Sequence, residues 1–473
     1  MIALKRPRRG TESMLLLTDS YKMTHWRQYP PGTEVVHSYF ESRGGLFRET
    51  VFFGLQYLLN RYLAGRVVTR EAIDEAEELA ALHFGRDGLF NRAGWEHVLG
   101  EHGGRLPVSI RAVPEGSVVP GRNVLMTVEN TCPECHWLTN YLETLLVQAW
   151  YPISVATLSR EMKRMILRYL SKTGDPAGVG FKLHDFGFRG VSSVESAALG
   201  GAAHLVNFLG TDTIAGLVLA RDSYGAKMAG FSIPAAEHST MTSWGRESEA
   251  EAMRNMLIQY PSGLVAVVSD SYDIFRACSE IWGGKLREMV LARDGTLVVR
   301  PDSGDPPSVV LRVLEILGEK FGWEKNAKGF KVLNPKVRVI QGDGIDFESA
   351  ERILATITDS GWSADNLAFG MGGALLQKLH RDTLRFAFKA SAIRVEGEWR
   401  DVYKEPVTDP GKNSKRGRLA LVAEGDSLRT LRREEAAALG LDDILVEVFR
   451  DGEILREWDF EEVRARAARR LED

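Results

Sequence analysis

Two hydrophobic rhythms divide the chain. Up to about residue 155 the pattern is mixed. Arg70–Phe84 sets Ala, Leu and Ile at helical spacing, with Thr69 placed as its N-cap and Gly85 as its stop. Val108–Val113 and Val124–Glu129 are short β-prone runs bounded by Pro, Gly and Asn. Leu138–Trp150 reads as an apolar helix, and Thr157–Ser171 as an amphipathic one with basic residues on its outer face. From about Gly178 short β-prone runs recur, each followed by a polar turn and a helical stretch. They are Gly180–Leu183, Leu205–Phe208, Gly230–Ile233, Val265–Val268, Thr296–Val299, Lys336–Ile340, Asn366–Phe369 and Arg385–Phe388. Strands alternating with helices predict a parallel sheet, and eight of them a (β/α)8-like barrel. Beyond about Ser391 strands and basic turns return, closing on a charged helix from Asp459. The expected fold class is α/β. Residues 156–390 would form the barrel, and residues 1–155 and 391–473 a second, mixed α+β domain.

Barrel enzymes build their sites at the C-terminal ends of the strands. Here the eight runs lead into His184–Arg189 (HDFGFR), Gly210-Thr211-Asp212, Glu237-His238-Ser239-Thr240, Ser269–Asp273 (SDSYD), Arg300–Gly304 (RPDSG), Gln341–Gly344 (QGDG), Gly370–Gly373 (GMGG) and Lys389. A barrel held only by packing would scatter such residues over both faces.

The late glycine turns, with Gly342, Gly372 and Gly373, let backbone N–H groups approach an anion where a Cβ would intrude; the alternative is a pair of tight turns. Asp212, Asp302 and Asp343 end separate strands, where a carboxylate accepts from sugar hydroxyls or holds Mg²⁺ through water, or merely caps a loop. His238 suits a base, a ligand or a phosphoryl acceptor, although a solitary histidine is more often structural. Phe186 and Arg189 share a loop that stacks and orients a planar heterocycle, or plugs the barrel mouth. Lys389, Lys404, Lys412, Lys415 and Arg416 form a solvated face or a polyphosphate site. These residues by themselves reach as far as a barrel enzyme acting on a phosphorylated sugar.

Composition narrows the class. The 473 residues are 44% hydrophobic and 26% charged, as in a soluble globular chain long enough for more than one core. A net charge of −4 provides no global attraction to nucleic acid or anionic membrane, so phosphate must be held by local basic clusters. No apolar span suits a bilayer crossing, and the basic Met1–Ser13 stretch lacks an apolar h-region, so a cytoplasmic location is expected. Three cysteines argue against a disulfide framework. Cys132-Pro-Glu-Cys135-His136 has haem-attachment spacing and the look of half a zinc site. No second CxxC or downstream His pair completes it, and the pair is read as incidental.

Several longer stretches carry a resemblance. Thr18–Lys22 (TDSYK), Gln28–Thr33 (QYPPGT), Ser38–Glu41 (SYFE), His184–Val194 (HDFGFRGVSSV), Ala235–Thr240 (AAEHST), Val268–Asp273 (VSDSYD), Arg300–Gly304, Gln341–Gly344 and Leu375–Leu379 (LLQKL) are similar to the nicotinamide phosphoribosyltransferase family, the type II phosphoribosyltransferases. The similarity spans roughly residues 14 to 420.

The resemblance implies a homodimer with shared sites, forming nicotinamide mononucleotide from nicotinamide and phosphoribosyl pyrophosphate. The nicotinamide ring would lie between Phe186 and the partner subunit's Tyr21, with Arg189 and Arg300 lining the pocket and Asp212 accepting from the carboxamide. Asp19 and Ser269 would add substrate contacts. Asp302, Gly342 and Asp343 would meet the ribose, and Gly372 and Gly373 the 5′-phosphate. Arg43, Arg381, Lys389, Lys404 and Lys412 would hold pyrophosphate or ATP phosphates. Mg²⁺ would act through pyrophosphate and water, without direct protein ligands. His238 would be a phosphorylated histidine coupling ATP hydrolysis to synthesis, with Asp270 or Asp273 orienting it. Departures are the Cys132/Cys135 pair, the basic extension, the Gly370–Ala374 run and Phe188, where tyrosine is common.

Two rivals stand beside this reading: a nicotinate phosphoribosyltransferase, and a non-catalytic binding or signalling protein on the same scaffold. A Mg²⁺-dependent sugar-phosphate lyase barrel lacks an obvious Schiff-base lysine or metal-ligand triad.

Overall fold

The computed structural model describes residues 13–408, 413–425, 427–469 and 471. The chain divides into two units, Met1–Ser154 with Arg381–Arg466, and Val155–His380 with Ala467–Asp473. Lys412 and the basic residues Lys5, Arg6, Arg8 and Arg9 lie outside the described residues.

The first unit is built on a seven-stranded sheet in the order Glu398–Asp401, Phe386–Val395, Thr33–Ser42, Val124–Asn130, Val108–Ala112, Val446–Arg450, Glu453–Ile454. Its pairings are antiparallel. Its core gathers Tyr39, Phe40, Phe52, Trp95, Trp137 and Phe449. Helix Arg70–Phe84 forms as its punctuation demands: Thr69 Oγ1 accepts from Ala72 N at 3.2 Å, and Gly85 closes the helix at φ 67°. The apolar Leu138–Trp150 stretch is not one helix. It breaks into Leu138–Tyr141 and Glu143–Val147, and the amphipathic stretch after it lies within helix Trp150–Thr173.

The second unit holds six parallel strands in the order Gly210–Thr211, Leu183–Asp185, Leu367–Met371, Val337–Gln341, Asp294–Arg300, Ser262–Val268. Parallel bridges Gly210↔Phe231 and Ala235↔Ala266 join the sheet's two edges through residues 231–235. The ring therefore closes with seven parallel segments rather than eight. Side chains alternate as a pleat requires. Ala266, Val298 and Ile340 cluster with Phe186, Ile233 and Ala368, while Val265, Val267, Leu297, Val299 and Val339 are also buried. Asp305 and Asp346 cap helices Pro306–Phe321 and Phe347–Asp359, accepting from Ser308 N and Ser349 N.

Four of the eight expected strands are corrected. Gly180–Leu183 begins in the 3₁₀ turn Pro176–Phe181, and the strand starts only at its last residue, as Leu183–Asp185. Gly230–Ile233 makes an isolated bridge at Phe231 and no longer ladder. Leu205–Phe208 straddles the end of helix Val194–Leu205, and the strand falls at Gly210–Thr211. A β-branched or aromatic run at a helix end has the same composition as a short strand, which is why the pattern misled. Arg385–Phe388 opens strand Phe386–Val395, which pairs antiparallel with Thr33–Ser42 in the first unit, Phe40 opposite Phe388. The Phe40 and Phe386 rings stack at 5.2 Å. A strand's alternation states that one face is buried, not which sheet receives it.

Candidate active site

One cavity of about 870 Å³ opens in the second unit, lined by Phe186, Arg189, Asp212, His238, Arg300, Asp302, Gly342, Asp343, Gly372 and Gly373, together with Phe188, Gly190, Thr213, Glu237 and Ser239. Every strand end from Leu183–Asp185 to Leu367–Met371 contributes except that of Ser262–Val268. That strand supplies Asp270, which reaches the cavity through His238.

Phe186 leaves its strand just after Asp185, whose Oδ1 accepts from Gly187 N at 2.7 Å and so bends the loop. Asp185 is fully buried, and burial pushes its carboxyl up to about 6 against the opposing pull of Gly187 N–H and the nearby Thr213 and Thr211 hydroxyls. The Phe186 ring lies over Gly370, where an added Cβ would fall 2.0 Å from Phe186 Cε2. Arg300 sits 5.4 Å from the Phe186 centroid and grips Asp302 at 2.9 and 3.0 Å. Aromatic face, guanidinium and carboxylate thus form one rigid wall. Gly342 backs that wall: a Cβ there would lie 3.0 Å from Arg300 Nε. Gln341 Nε2 donates to Asp343 O at 2.9 Å and fixes the next turn. Asp212, exposed on its loop, accepts from Ser232 Oγ.

His238 opens the short helix His238–Thr242. Its Nε2 lies 2.9 Å from Asp270 Oδ1, and Asp270 Oδ2 accepts from Ser303 Oγ at 2.5 Å. The imidazole is about half exposed while the Asp270 carboxylate is nearly buried, 48% against 4%. Asp273 does not reach the histidine; its Oδ1 accepts from Phe275 N and Arg276 N, capping the following helix. Ser269 is also diverted. Wholly buried, it donates to Val267 O and accepts from Trp282 Nε1, and it does not line the cavity.

The remaining candidates stand in the first unit. Tyr21 is exposed, edge-on to His25, with Lys22 Nζ 5.5 Å from its centroid. Asp19 Oδ2 accepts from Thr144 Oγ1 at 2.7 Å, which commits it to the start of helix Glu143–Val147. Lys389 has its ammonium pKa lowered by burial and by the nearby charges of Arg43, Lys404 and Arg381, with Glu143 opposing. Four of the five basic residues expected to hold phosphates are thereby neighbours. Arg43 also donates to Glu41 at 2.9 Å, and Lys415 bonds the other oxygen of the same carboxylate.

Comparison with known proteins bears on the whole chain. Residues 13–110 match the nicotinamide phosphoribosyltransferase N-terminal domain, and residues 181–442 the nicotinate phosphoribosyltransferase (NAPRTase) family. The chain is 57% identical over 464 residues to a nicotinamide phosphoribosyltransferase of Xanthomonas campestris, covering 96% of this chain and 98% of that one. The chain belongs to the nicotinamide phosphoribosyltransferase family. It is 35% identical to the Acinetobacter baylyi member, covering 96% of this chain and 97% of that one, and 32% to that of Mycoplasma pneumoniae, covering 85% and 94%. Among solved structures, a Pyrococcus furiosus nicotinate-nucleotide pyrophosphorylase shares the fold at TM-score 0.61 and 14% identity, covering 98% of this chain and 97% of that one. Human nicotinic acid phosphoribosyltransferase does so at 0.55 and 17%, covering 96% and 93%. This member of the nicotinamide phosphoribosyltransferase family is accordingly an enzyme, a pentosyltransferase of mixed α/β fold. Among its described residues no helix is long and apolar enough to cross a membrane.

Four residues of this family member escaped the sequence reading. Ser232 and Ser303 hold Asp212 and Asp270, Gly370 makes room for Phe186, and Asp185 sets its loop. Ser303, Asp185 and Gly370 sit inside motifs already singled out, RPDSG, HDFGFR and GMGG. Ser232 had no local signal, since its partner is 20 residues away.

Proposed function

We propose that this enzyme joins nicotinamide to phosphoribosyl pyrophosphate, yielding nicotinamide mononucleotide and pyrophosphate for NAD salvage, with ATP hydrolysis coupled through a phosphohistidine at His238. The reading rests on one observation above the rest. A single cavity presents an aromatic–guanidinium wall, an exposed carboxylate at Asp212, the Asp302 and Asp343 carboxylates, and a His238–Asp270 couple.

The pyridine ring stacks on Phe186, with Tyr21 of the partner subunit on its other face in a homodimer. Asp212, anchored by Ser232, accepts from the carboxamide NH₂. Nicotinate would set a second carboxylate against Asp212 with no proton to share, a loss of about 1–3 kcal/mol. Asp302, Gly342 and Asp343 hold the ribose hydroxyls, and the Gly372–Gly373 backbone the 5′-phosphate. Arg43, Arg381, Lys389, Lys404 and Lys412 hold pyrophosphate or ATP phosphates, some across the dimer. Asp302 and Asp343 are the carboxylates that would hold a hydrated Mg²⁺ through its waters, and such an ion would supply positive charge to the departing pyrophosphate. The ring nitrogen then attacks C1 of the ribose as the bond from C1 to the pyrophosphate oxygen breaks, and pyrophosphate leaves with that electron pair. Little proton transfer is required, so positioning and fixed charge do most of the work. Asp270 engages His238 Nε2 and leaves Nδ1 as the nitrogen to take the phosphoryl group.

Nicotinate phosphoribosyltransferase is the second reading, favoured by the family description matching residues 181–442. Product analysis with each pyridine, with and without ATP, separates the two. Nicotinamide mononucleotide formed faster in the presence of ATP is expected, and preferential turnover of nicotinate would overturn the assignment. Formation of either nucleotide excludes a purely binding or signalling role. The proposed setting is the cytoplasm.

A further inference from the structure

The Cys132–Cys135 pair is completed from upstream. His97, in helix Arg92–Glu101, and His102, at that helix's C-cap, converge with both cysteines, and the four ligand atoms all lie within 4.8 Å of one another. His97 Nε2 is 3.4 Å from Cys132 Sγ. Zinc bonds of about 2.3 Å to sulfur and 2.0–2.1 Å to nitrogen, arranged tetrahedrally, give ligand-to-ligand edges of about 3.3–3.8 Å. The observed separation is such an edge. The spacing, a histidine pair five apart and a C-x₂-C, falls within the ranges zinc sites use, with the two halves in reversed order along the chain.

The local structure holds this arrangement with protein contacts of its own. Cys132 O accepts from Cys135 N at 3.0 Å and from Asn130 Nδ2 at 2.7 Å, winding Pro133–Cys135 into a tight turn. The His97 and His102 rings meet at 5.5 Å. His102 Nε2 is buried with no hydrogen-bond partner, although a buried ring nitrogen is normally satisfied. An internal disulfide would use the two thiols and leave both histidines unexplained.

We propose that His97, His102, Cys132 and Cys135 bind one structural Zn²⁺ that ties helix Arg92–Glu101 to the Cys132–Cys135 turn. With four protein ligands no coordination position stays open for substrate, which separates a structural centre from a catalytic one. On binding, both thiols lose their protons to solvent, including the Cys132 proton now shared with Glu134 Oε2 at 3.1 Å. Two thiolates and one divalent cation leave the cluster neutral, which suits a site with Cys135 buried and the other three ligands half-buried.

Tag-free full-length protein, purified without chelator, tests this by elemental analysis. About one zinc per chain is expected. Replacing the metal with Co²⁺ should produce the visible bands of tetrahedral cobalt and a thiolate-to-cobalt charge-transfer band. His102→Ala and Cys132→Ser should each weaken Co²⁺ binding at least about tenfold and lower the thermal midpoint. Their midpoints should also stop responding to chelator, whereas the parent's falls when chelator is added. If the variants do not fold, metal content and the cobalt spectrum of the parent protein decide alone. Metal-free protein that gives no cobalt charge-transfer band overturns the proposal, as does native protein recovered with a Cys132–Cys135 disulfide.

Discussion

Substrate choice rests on very few atoms. Asp212 is anchored by Ser232 Oγ and open to the cavity, so Asp212→Ser removes the charge proposed to repel nicotinate while keeping a small polar group. The ratio of kcat/KM for nicotinamide over nicotinate should fall about tenfold or more, and an unchanged ratio would discard the charge argument. His238→Ala and Asp270→Asn should abolish or sharply reduce ATP stimulation while leaving slow ATP-independent synthesis. Rates measured with and without ATP check this, and full coupling in His238→Ala would remove the phosphohistidine from the mechanism. Asp185 makes a pH prediction. Its carboxyl is raised by burial to about 6 in the folded chain, against about 3.9 unfolded. Between those values the native state holds a proton the unfolded state has lost. The contribution is therefore fully present below about pH 4 and lost as pH rises through about 6, a penalty of up to about 3 kcal/mol at neutral pH. Asp185→Asn keeps an acceptor for Gly187 N without the charge. Urea midpoints should show it about 1–3 kcal/mol more stable near pH 7.5 and no more stable near pH 4; equal stability at both would refute the assignment.

Strands and loops were readable where punctuation is local. Thr69, Gly85 and the β-prone runs at 265–268, 296–299 and 336–340 lie where their chemistry indicates. Leu205–Phe208 failed because the residues that end a helix against a sheet are as apolar as those that start a strand. The packing of Phe186 on Gly370 joins strand Leu367–Met371 to the loop after Leu183–Asp185, a contact invisible in either segment by itself. Gly370→Ala would drive a methyl into the ring, so the ring must shift. Overpacking of this kind costs about 1–3 kcal/mol. The expected result is a raised KM for nicotinamide with a smaller change for phosphoribosyl pyrophosphate; equal effects on both would point to general unfolding instead.

At the level of the assembled protein, the proposed dimer is open to a mixing test. Tyr21→Ala and Phe186→Ala should each be nearly inactive. Unfolded and refolded together in equal amounts, they should regain about a quarter of the parental activity, because half the dimers are mixed and each carries one intact site. A mixture no more active than its parts would rule out a site shared between subunits. The strand beginning at Phe386 shows where reading along the chain stops: its alternation is sound, yet it pairs with Thr33–Ser42, and Lys389 comes to neighbour Arg43 and Lys404 rather than closing a barrel. His97 and His102 are illegible as partners of the cysteines for the same cause, since they stand some thirty residues upstream of them, the reverse of the usual cysteine-then-histidine order. Order along the chain was enough for helix caps, strand periods, glycine turns and the polar residues at strand ends, because each depends on the φ/ψ preferences and side-chain chemistry of a few adjacent residues. Which sheet took a strand, which aspartate met His238, and which histidines met the cysteines depended on faces buried together across long stretches of chain. Those pairings are selected by the packing and desolvation of the whole unit, which no short segment encodes.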